Sequence, residues 1–349
     1  MTDSTPETAA PLSTDTMPAW HQTRYGGPEA VTLGSIDVPP PRGGEVLLRL
    51  RATGLNNGDI RVMRGEPLLV RPAFGWRRPR QPVRGMDAAA TVIAAGPDVV
   101  GFAPGDEVVC ELPAGGGLAA YAVAPAKRLV RRPAALDPTV AAALPIAGGT
   151  AWQALDRGGV SAGQRVLVIG ASGGVGTFAV QLATHRGAEV WALCGERNRA
   201  IVEELGAVRT FDYRSVQPGS AELGGDFDVV IDIAGTAPLR ALQALVKDGG
   251  AVVLVSGEGG RVLGPVGRLA AASLRSIGSK RPLRPLAAVA KTDVLSRLLE
   301  LAASGALRPR IERTYPFAEA GAALAHVDGG HAVGKIVVIH PDDIAQQRS

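Results

Sequence analysis

The sequence predicts an α/β protein of two domains: a doubly wound parallel sheet covered by helices, and a compact β domain ahead of it. Between Gly163 and about Gly278, almost wholly apolar strand candidates alternate with helical segments, the pattern of a parallel sheet buried on both faces. From His21 to about Arg132 the chain reads instead as short β-branched or Leu-rich runs separated by Gly, Pro and Asp turns, which is how strands of a small β domain appear. A length of 349 residues, 46% apolar, suffices for two cores, and with only 4% aromatic residues small aliphatic side chains must fill them.

In the β domain, strands are expected at Glu45 to Leu50, Thr91 to Ile93 and Glu107 to Val109. The parallel sheet takes Arg165 to Ile169, Glu189 to Leu193, Val208 to Phe211, Phe227 to Ile231 and Ala251 to Val255, with a sixth candidate at Ser273 to Ile277. A helix from Thr177 to Arg186, ended by Gly187, joins the first two of these strands. An amphipathic helix at Thr292 to Ala303 and a strand at Lys335 to Ile339 follow.

Composition narrows the function. Two cysteines, Cys110 and Cys194, cannot build a disulfide framework or a four-thiolate zinc lobe. The net charge of +4 is spread along the chain, whereas nucleic-acid binding usually shows a dense basic face, so no nucleic-acid partner is expected. The apolar stretch from Pro138 to Trp152 is broken by Pro145, Gly148 and Gly149 and is too short to span a bilayer, so no membrane insertion is expected. Met1 to Pro18 lacks a basic n-region and a long apolar run. It reads as a disordered tail on a cytoplasmic protein.

The most informative segment is Arg165-Val166-Leu167-Val168-Ile169-Gly170-Ala171-Ser172-Gly173-Gly174-Val175-Gly176. A buried strand runs there into a glycine-rich turn and a helix, so the backbone approaches a pyrophosphate while free N–H groups at the helix start attract its charge. The second strand arrives at the proper distance for a dinucleotide fold. That strand ends in Cys194-Gly195-Glu196-Arg197-Asn198-Arg199 without a terminal acid. An acid there would hold the ribose hydroxyls of NAD, whereas Arg197, with Arg199 or Arg214, suits a 2′-phosphate and hence NADPH. Glu196, and the reading of both arginines as solvated first-turn residues, stand on the other side.

Further motifs follow in order: Tyr25-Gly26-Gly27-Pro28-Glu29, Ala52-Thr53-Gly54-Leu55-Asn56-Asn57-Gly58-Asp59-Ile60, Gly85-Met86-Asp87, Gly105-Asp106-Glu107-Val108, Ala142-Ala143-Leu144-Pro145, Asp228-Val229-Val230-Ile231-Asp232 and Gly334-Lys335-Ile336-Val337-Val338. With them the chain resembles the medium-chain dehydrogenase/reductase superfamily, and within it the zinc-independent quinone oxidoreductases of the zeta-crystallin type. The resemblance implies a Rossmann nucleotide-binding domain at 146–289 and a GroES-like catalytic β-barrel domain formed by 19–145 with 290–349, the substrate cleft lying between. It also implies a homodimer, joined by extending the nucleotide-domain sheet.

In zinc-dependent members of the superfamily a cysteine stands in the place of Asn56 and a histidine in that of Met86. An amide and a thioether are poor zinc ligands, so no metal is expected. Without a Lewis acid, alcohol oxidation is disfavoured. Hydride delivery from NADPH to a quinone or α,β-unsaturated carbonyl remains, with the protein positioning the reactants. Relatives with a tyrosine two residues after the acid at Asp59 have Arg61 as its counterpart here, and their glycine after the Gly-x-Asp segment is Ala90. One candidate proton donor is thereby lost.

The expected catalytic residues are Asn56, Asp59 and Met86. Cofactor contacts are expected from Thr150, Gly170, Ala171, Ser172, Gly173, Gly174, Val175, Gly176, Cys194, Arg197, Tyr213, Ser256 and Lys335. Asn57, Phe74 and Trp76 are expected to line the substrate cleft, the two aromatics from a basic loop, Arg71 to Arg84, that covers it. Asp87 reads as a loop-stabilising residue. Arg261, Arg268 and Arg275 recur every seven residues, a spacing that a membrane-surface helix would also show. The competing readings are a dinucleotide-dependent binding or regulatory protein, with RNA as its partner, and an NAD(P)-dependent alcohol dehydrogenase lacking catalytic zinc.

Overall fold

The computed structural model describes residues 16–113, 115–255, 264 and 266–341. In chain order, β1 (Thr16–His21), β2 (Thr32–Asp37), β3 (Glu45–Leu55), α1 (Asn57–Arg64), α2 (Arg71–Phe74), β4 (Asp87–Ala95), β5 (Glu107–Glu111), β6 (Tyr121–Pro125) and β7 (Val130–Arg131) form the β domain. Helices α3 (Pro138–Ala142) and α4 (Pro145–Gly158) lead to β8 (Arg165–Ile169), α5 (Gly174–His185), β9 (Glu189–Cys194), α6 (Arg199–Glu204), β10 (Arg209–Asp212), β11 (Phe227–Asp232), α7 (Leu239–Leu245), β12 (Val246–Leu254), α8 (Val266–Ser276) and β13 (Leu283–Pro285). The chain then runs through α9 (Thr292–Ala303), β14 (Ile311–Pro316), α10 (Ala320–Asp328) and β15 (Lys335–Ile339).

The six-stranded sheet has the order β10-β9-β8-β11-β12-β13, with every pairing parallel. Its direction of winding reverses between β8 and β11, so the carboxyl ends of these strands open the crevice where ligands of doubly wound sheets sit. The seven-stranded sheet runs β14-β15-β3-β4-β5-β7, with β6 on β3. β15 pairs antiparallel with β3, so the end of the chain is built into the domain of its beginning. Helix α9 packs on α4 and on β7, and so sits against both lobes.

One buried cluster runs through both lobes, from Ala52, Ala89 and Val337 of the barrel through Ala141 to Leu144 into Ala147, Ala151, Val168 and Ile231. Small residues make that continuity possible. A Cβ on Gly54 would collide with the Ala142 carbonyl, so α3 lies directly on β3 where the side chain is missing.

Three expectations change. Strand β1 begins at Thr16, so Thr16 to Pro18 belong to a strand rather than the tail; Met1 to Asp15 lie outside the described residues. Ser273 to Ser276 are the end of helix α8, whose Ala272 is buried, and the sixth strand is Leu283–Pro285. Its flanking and internal prolines hide it from a strand pattern but are tolerated at a sheet edge. Pro285 has no N–H and the Leu283 N–H is taken by Ser276 Oγ at 2.9 Å, so this edge is a poor template for a further strand. Third, Arg268 does not form a basic face with its neighbours: it ion-pairs with buried Asp232 at 2.9 Å. Arg261 lies outside the described residues.

Candidate active site

A cleft of about 240 Å³ lies between the lobes, lined by Asn56, Asn57 and Gly58 at the start of α1, by Gly173 to Val175, and by Gly334 and Lys335. On the nucleotide side, Gly170 has φ of +87°, a left-handed conformation that glycine adopts without strain. A Cβ on Gly176 would strike the Gly170 carbonyl and the Ala171 backbone, so α5 begins hard against the end of β8. Gly173 precedes the helix with no side-chain cap, leaving its first N–H groups available to an anion. This backbone cradle fits the pyrophosphate of a dinucleotide. The Gly334 N–H donates to the Ser172 carbonyl at 2.9 Å, which fastens the turn to the strand that carries Lys335.

At the end of β9, a Cβ on Gly195 would stand 3.5 Å from Tyr213 Cε1 and 3.9 Å from Arg214 Nη1. The Arg214 guanidinium lies 5.0 Å from the Tyr213 ring centroid. Arg197 is exposed. Arg199, in contrast, donates to Thr210 Oγ1 on β10 at 2.9 Å and pairs with Glu196 at 3.2 Å, so both it and Glu196 are already engaged. Buried Cys194 has its thiol pushed up to about 11 by burial, which keeps it a neutral packing group.

On the facing wall three residues from distant parts of the chain meet. Lys335 Nζ donates to Asn56 Oδ1 at 2.6 Å and lies 3.3 Å from Asp87 Oδ2. Asn56 Nδ2 donates to the same Asp87 oxygen at 2.9 Å, and the Ile146 N–H donates to the other at 3.1 Å. The Lys335 side chain is 2% exposed and that of Asp87 is buried completely. Burial raises the pKa of Asp87, opposed by the charge of Lys335. Half-buried Glu111, paired with Asp87 across β4 and β5, is pushed up to about 7 by burial and by Asp87. Among the described residues that line the cleft, Lys335 alone carries a charge.

The expected site residues are placed unevenly. Asn56, Asn57, Gly173, Gly174, Val175 and Lys335 line the cleft. Asp59 is set one layer back, its carboxylate accepting the N–H groups of Asn56 at 2.9 Å and Gly85 at 2.8 Å. Burial raises its pKa to about 6. It therefore positions Asn56 rather than facing a ligand. Met86 stands behind Gly58, its sulfur 3.7 Å from where a Cβ would be. The aromatics do not cover the cleft: Trp76 is 71% exposed and Phe74 lines a neighbouring pocket. Thr150 lies half-buried within α4, and Ser256 lies outside the described residues. The member not foreseen is Asp87, whose role depends on Lys335 arriving from the far end of the chain.

Among the described residues no group of three or more His, Cys, Asp or Glu side chains is arranged to hold a metal ion. Asn56 and Met86 do not supply the missing thiolate and imidazole.

A doubly wound parallel sheet, a seven-stranded β domain that β15 rejoins by pairing with β3, and a cleft between them define a protein of the medium-chain dehydrogenase/reductase type. Residues 42–134 match the alcohol dehydrogenase GroES-like domain and residues 205–338 the zinc-binding dehydrogenase domain. The chain is 35% identical to a chloroplast envelope quinone oxidoreductase homolog of Arabidopsis thaliana over 92% of its own length and 98% of the relative's. It is 33% identical to a mitochondrial NAD(P)H oxidoreductase of Mus musculus, covering 92% of this chain and 89% of that one. The quinone oxidoreductase of Coxiella burnetii superposes with a TM-score of 0.82 at 26% identity, over 93% and 99% of the two chains. The chain belongs to the quinone oxidoreductase family of the medium-chain dehydrogenase/reductase superfamily, and a nicotinamide cofactor goes with that membership. No helix among the described residues is long and apolar enough to cross a membrane.

Proposed function

We propose that the protein is a zinc-independent, NADPH-dependent reductase of quinones and related α,β-unsaturated carbonyls. The observation that carries this reading is the Asn56–Asp87–Lys335 group facing the glycine turn across one cleft. Bound NADPH supplies hydride. The turn from Gly170 to Gly176 would hold its pyrophosphate, and Arg197, Arg214 and Tyr213 around Gly195 would take the 2′-phosphate. Lys335 has three N–H donors; two are directed at Asn56 and Asp87. The third is available to an acceptor oxygen as negative charge develops there, and Nζ can then pass that oxygen a proton. Asn56 and Asp87 hold the ammonium in place and compensate its burial.

Carbonyl reduction needs no metal on this scheme, because the cation of Lys335 supplies the electrostatic stabilisation. The proposal extends to a cytoplasmic homodimer. Steady-state oxidation of NADPH and NADH with a panel of quinones, enals and simple ketones, with and without chelator, tests the reading. Acceptor-dependent turnover that favours NADPH and survives chelation is expected. Nucleotide binding without acceptor-dependent turnover, or activity abolished by chelator and restored by zinc, overturns it.

A further inference from the structure

Arg84 closes the basic loop that begins at Arg71 and turns its side chain into the protein, where only 1% of the residue is exposed. Its Nη2 donates to the Gln81 carbonyl, but Nε and Nη1 have no hydrogen-bond partner. The two acidic groups that act on it, Asp59 and Tyr25, are both engaged elsewhere. Asp59 is committed to the N–H groups of Asn56 and Gly85, and the Tyr25 hydroxyl donates to the Gly75 carbonyl at 2.6 Å. A guanidinium keeps its proton throughout the working pH range. Arg84 is therefore a buried cation with two nitrogens, carrying three N–H donors, unused, an arrangement that costs free energy unless an anion meets it.

A cavity of about 290 Å³ opens on this side chain, lined by Val62, Ala73, Phe74, Arg80, Gln81 and Arg84. Val62, Ala73 and Phe74 give it an apolar wall, and exposed Arg80 adds a second cation. Val62 stands four residues after Gly58 on α1, so the cavity lies one helical turn along that helix from the cleft. The two spaces share no lining residue.

The walls decide the kind of anion. Inorganic phosphate asks for polar partners on every side, whereas here Arg84, Arg80 and Gln81 share the lining with Val62, Ala73 and Phe74, a half-polar, half-apolar cavity of a size that takes a small organic molecule. We propose that this cavity is a binding seat for the carboxylate of a small organic acid: Arg84 meets the carboxylate, Arg80 reinforces it and Phe74 covers the hydrocarbon part. The assignment does not rest on the redox reading, and its test does not use turnover.

Isothermal titration of the full chain without nucleotide, using benzoate, its neutral counterpart benzamide, and inorganic phosphate as probes, decides the matter. Benzoate should bind at least about tenfold more tightly than benzamide, as charged hydrogen bonds imply. Arg84→Met should reduce benzoate affinity about tenfold or more while NADPH affinity is kept, and it should melt no lower than the parent because an unpaired buried charge is removed. Should that variant fail to fold, exposed Arg80→Glu serves instead, with an expected weakening of benzoate alone by severalfold. No binding of benzoate, equal binding of benzamide, tighter binding of phosphate, or benzoate affinity unmoved in the folded variant would each overturn the assignment.

Discussion

The two walls of the cleft are built on different principles. The glycine-rich wall, proposed to hold the nucleotide, is a single run from Arg165 to Gly176, shaped by backbone N–H groups and missing side chains. The wall proposed to face the acceptor is assembled from Asn56 at the head of α1, Asp87 at the head of β4 and Lys335 at the head of β15. Its side chains hold one another by hydrogen bonds within 3.3 Å. The first wall is specified by local backbone geometry. The second exists only once β15 has paired with β3. A substitution in the first should therefore damage binding, and one in the second should damage chemistry.

The largest effect is expected at the tightest contact. Gly176→Val places branched carbon against the Gly170 carbonyl and Ala171 backbone, and should abolish nucleotide binding and lower the melting temperature together. Gly174→Ala meets only the Gly334 carbonyl at 3.3 Å and Lys335 Cδ at 3.4 Å, so it should fold and show weakened NADPH binding by titration. If Gly176→Val binds NADPH as the parent does, the nucleotide wall is misplaced.

Next comes Lys335→Met. Removing a positioned proton donor should lower kcat by about 10²- to 10⁴-fold, with the dissociation constant of NADPH changed far less. A loss confined to nucleotide affinity would move Lys335 to the other wall. Because this change also leaves Asp87 buried without its cation, thermal unfolding should be followed alongside. The double variant Lys335→Met with Asp87→Asn should recover stability but not turnover.

Cofactor choice is a smaller effect. Arg197→Ala and Arg214→Ala should each reduce NADPH affinity by about ten- to a hundredfold, the usual worth of charged hydrogen bonds to phosphate, and leave NADH affinity unchanged. Gly195→Asp has room for its Cβ and should turn the preference toward NADH. Equal affinities of the parent for the two cofactors would remove the 2′-phosphate pocket.

The smallest effect concerns pH. The pKa of Glu111 is raised to about 7 in the folded chain by burial and by Asp87. A carboxyl shifted upward contributes its stabilisation below the unfolded-state value and loses it as pH rises through about 7, because the charged form is then the less tolerated one. Glu111→Gln should raise the melting temperature at pH 8 and change it little at pH 4. A gain of the same size at both values would rule out the titration as its cause.

How much of this was legible in the chain depended on the range of the interaction. The alternation of apolar strands and helices and the turn from Gly170 to Gly176 are local signals, and the sheet order and the position of α5 agree with them. Where a local signal was weak, tertiary structure overrode it. Ser273 to Ser276 became helix because Ala272 packs inward, and Leu283–Pro285 became an edge strand although it contains proline. Asn56, Met86 and Lys335 could each be singled out from the motifs, but Asp87 could not be distinguished from a loop carboxylate, since the lysine that gives it a task lies 248 residues away. Asp59 looked catalytic for the same reason in reverse, as its commitment to the N–H groups of Asn56 and Gly85 is invisible until the chain closes. The sequence by itself determined the backbone cradle, because a glycine at each required point is both necessary and local. Only the tertiary structure decided which charges meet, because burial and pairing of side chains are set by contacts between residues that the chain keeps far apart.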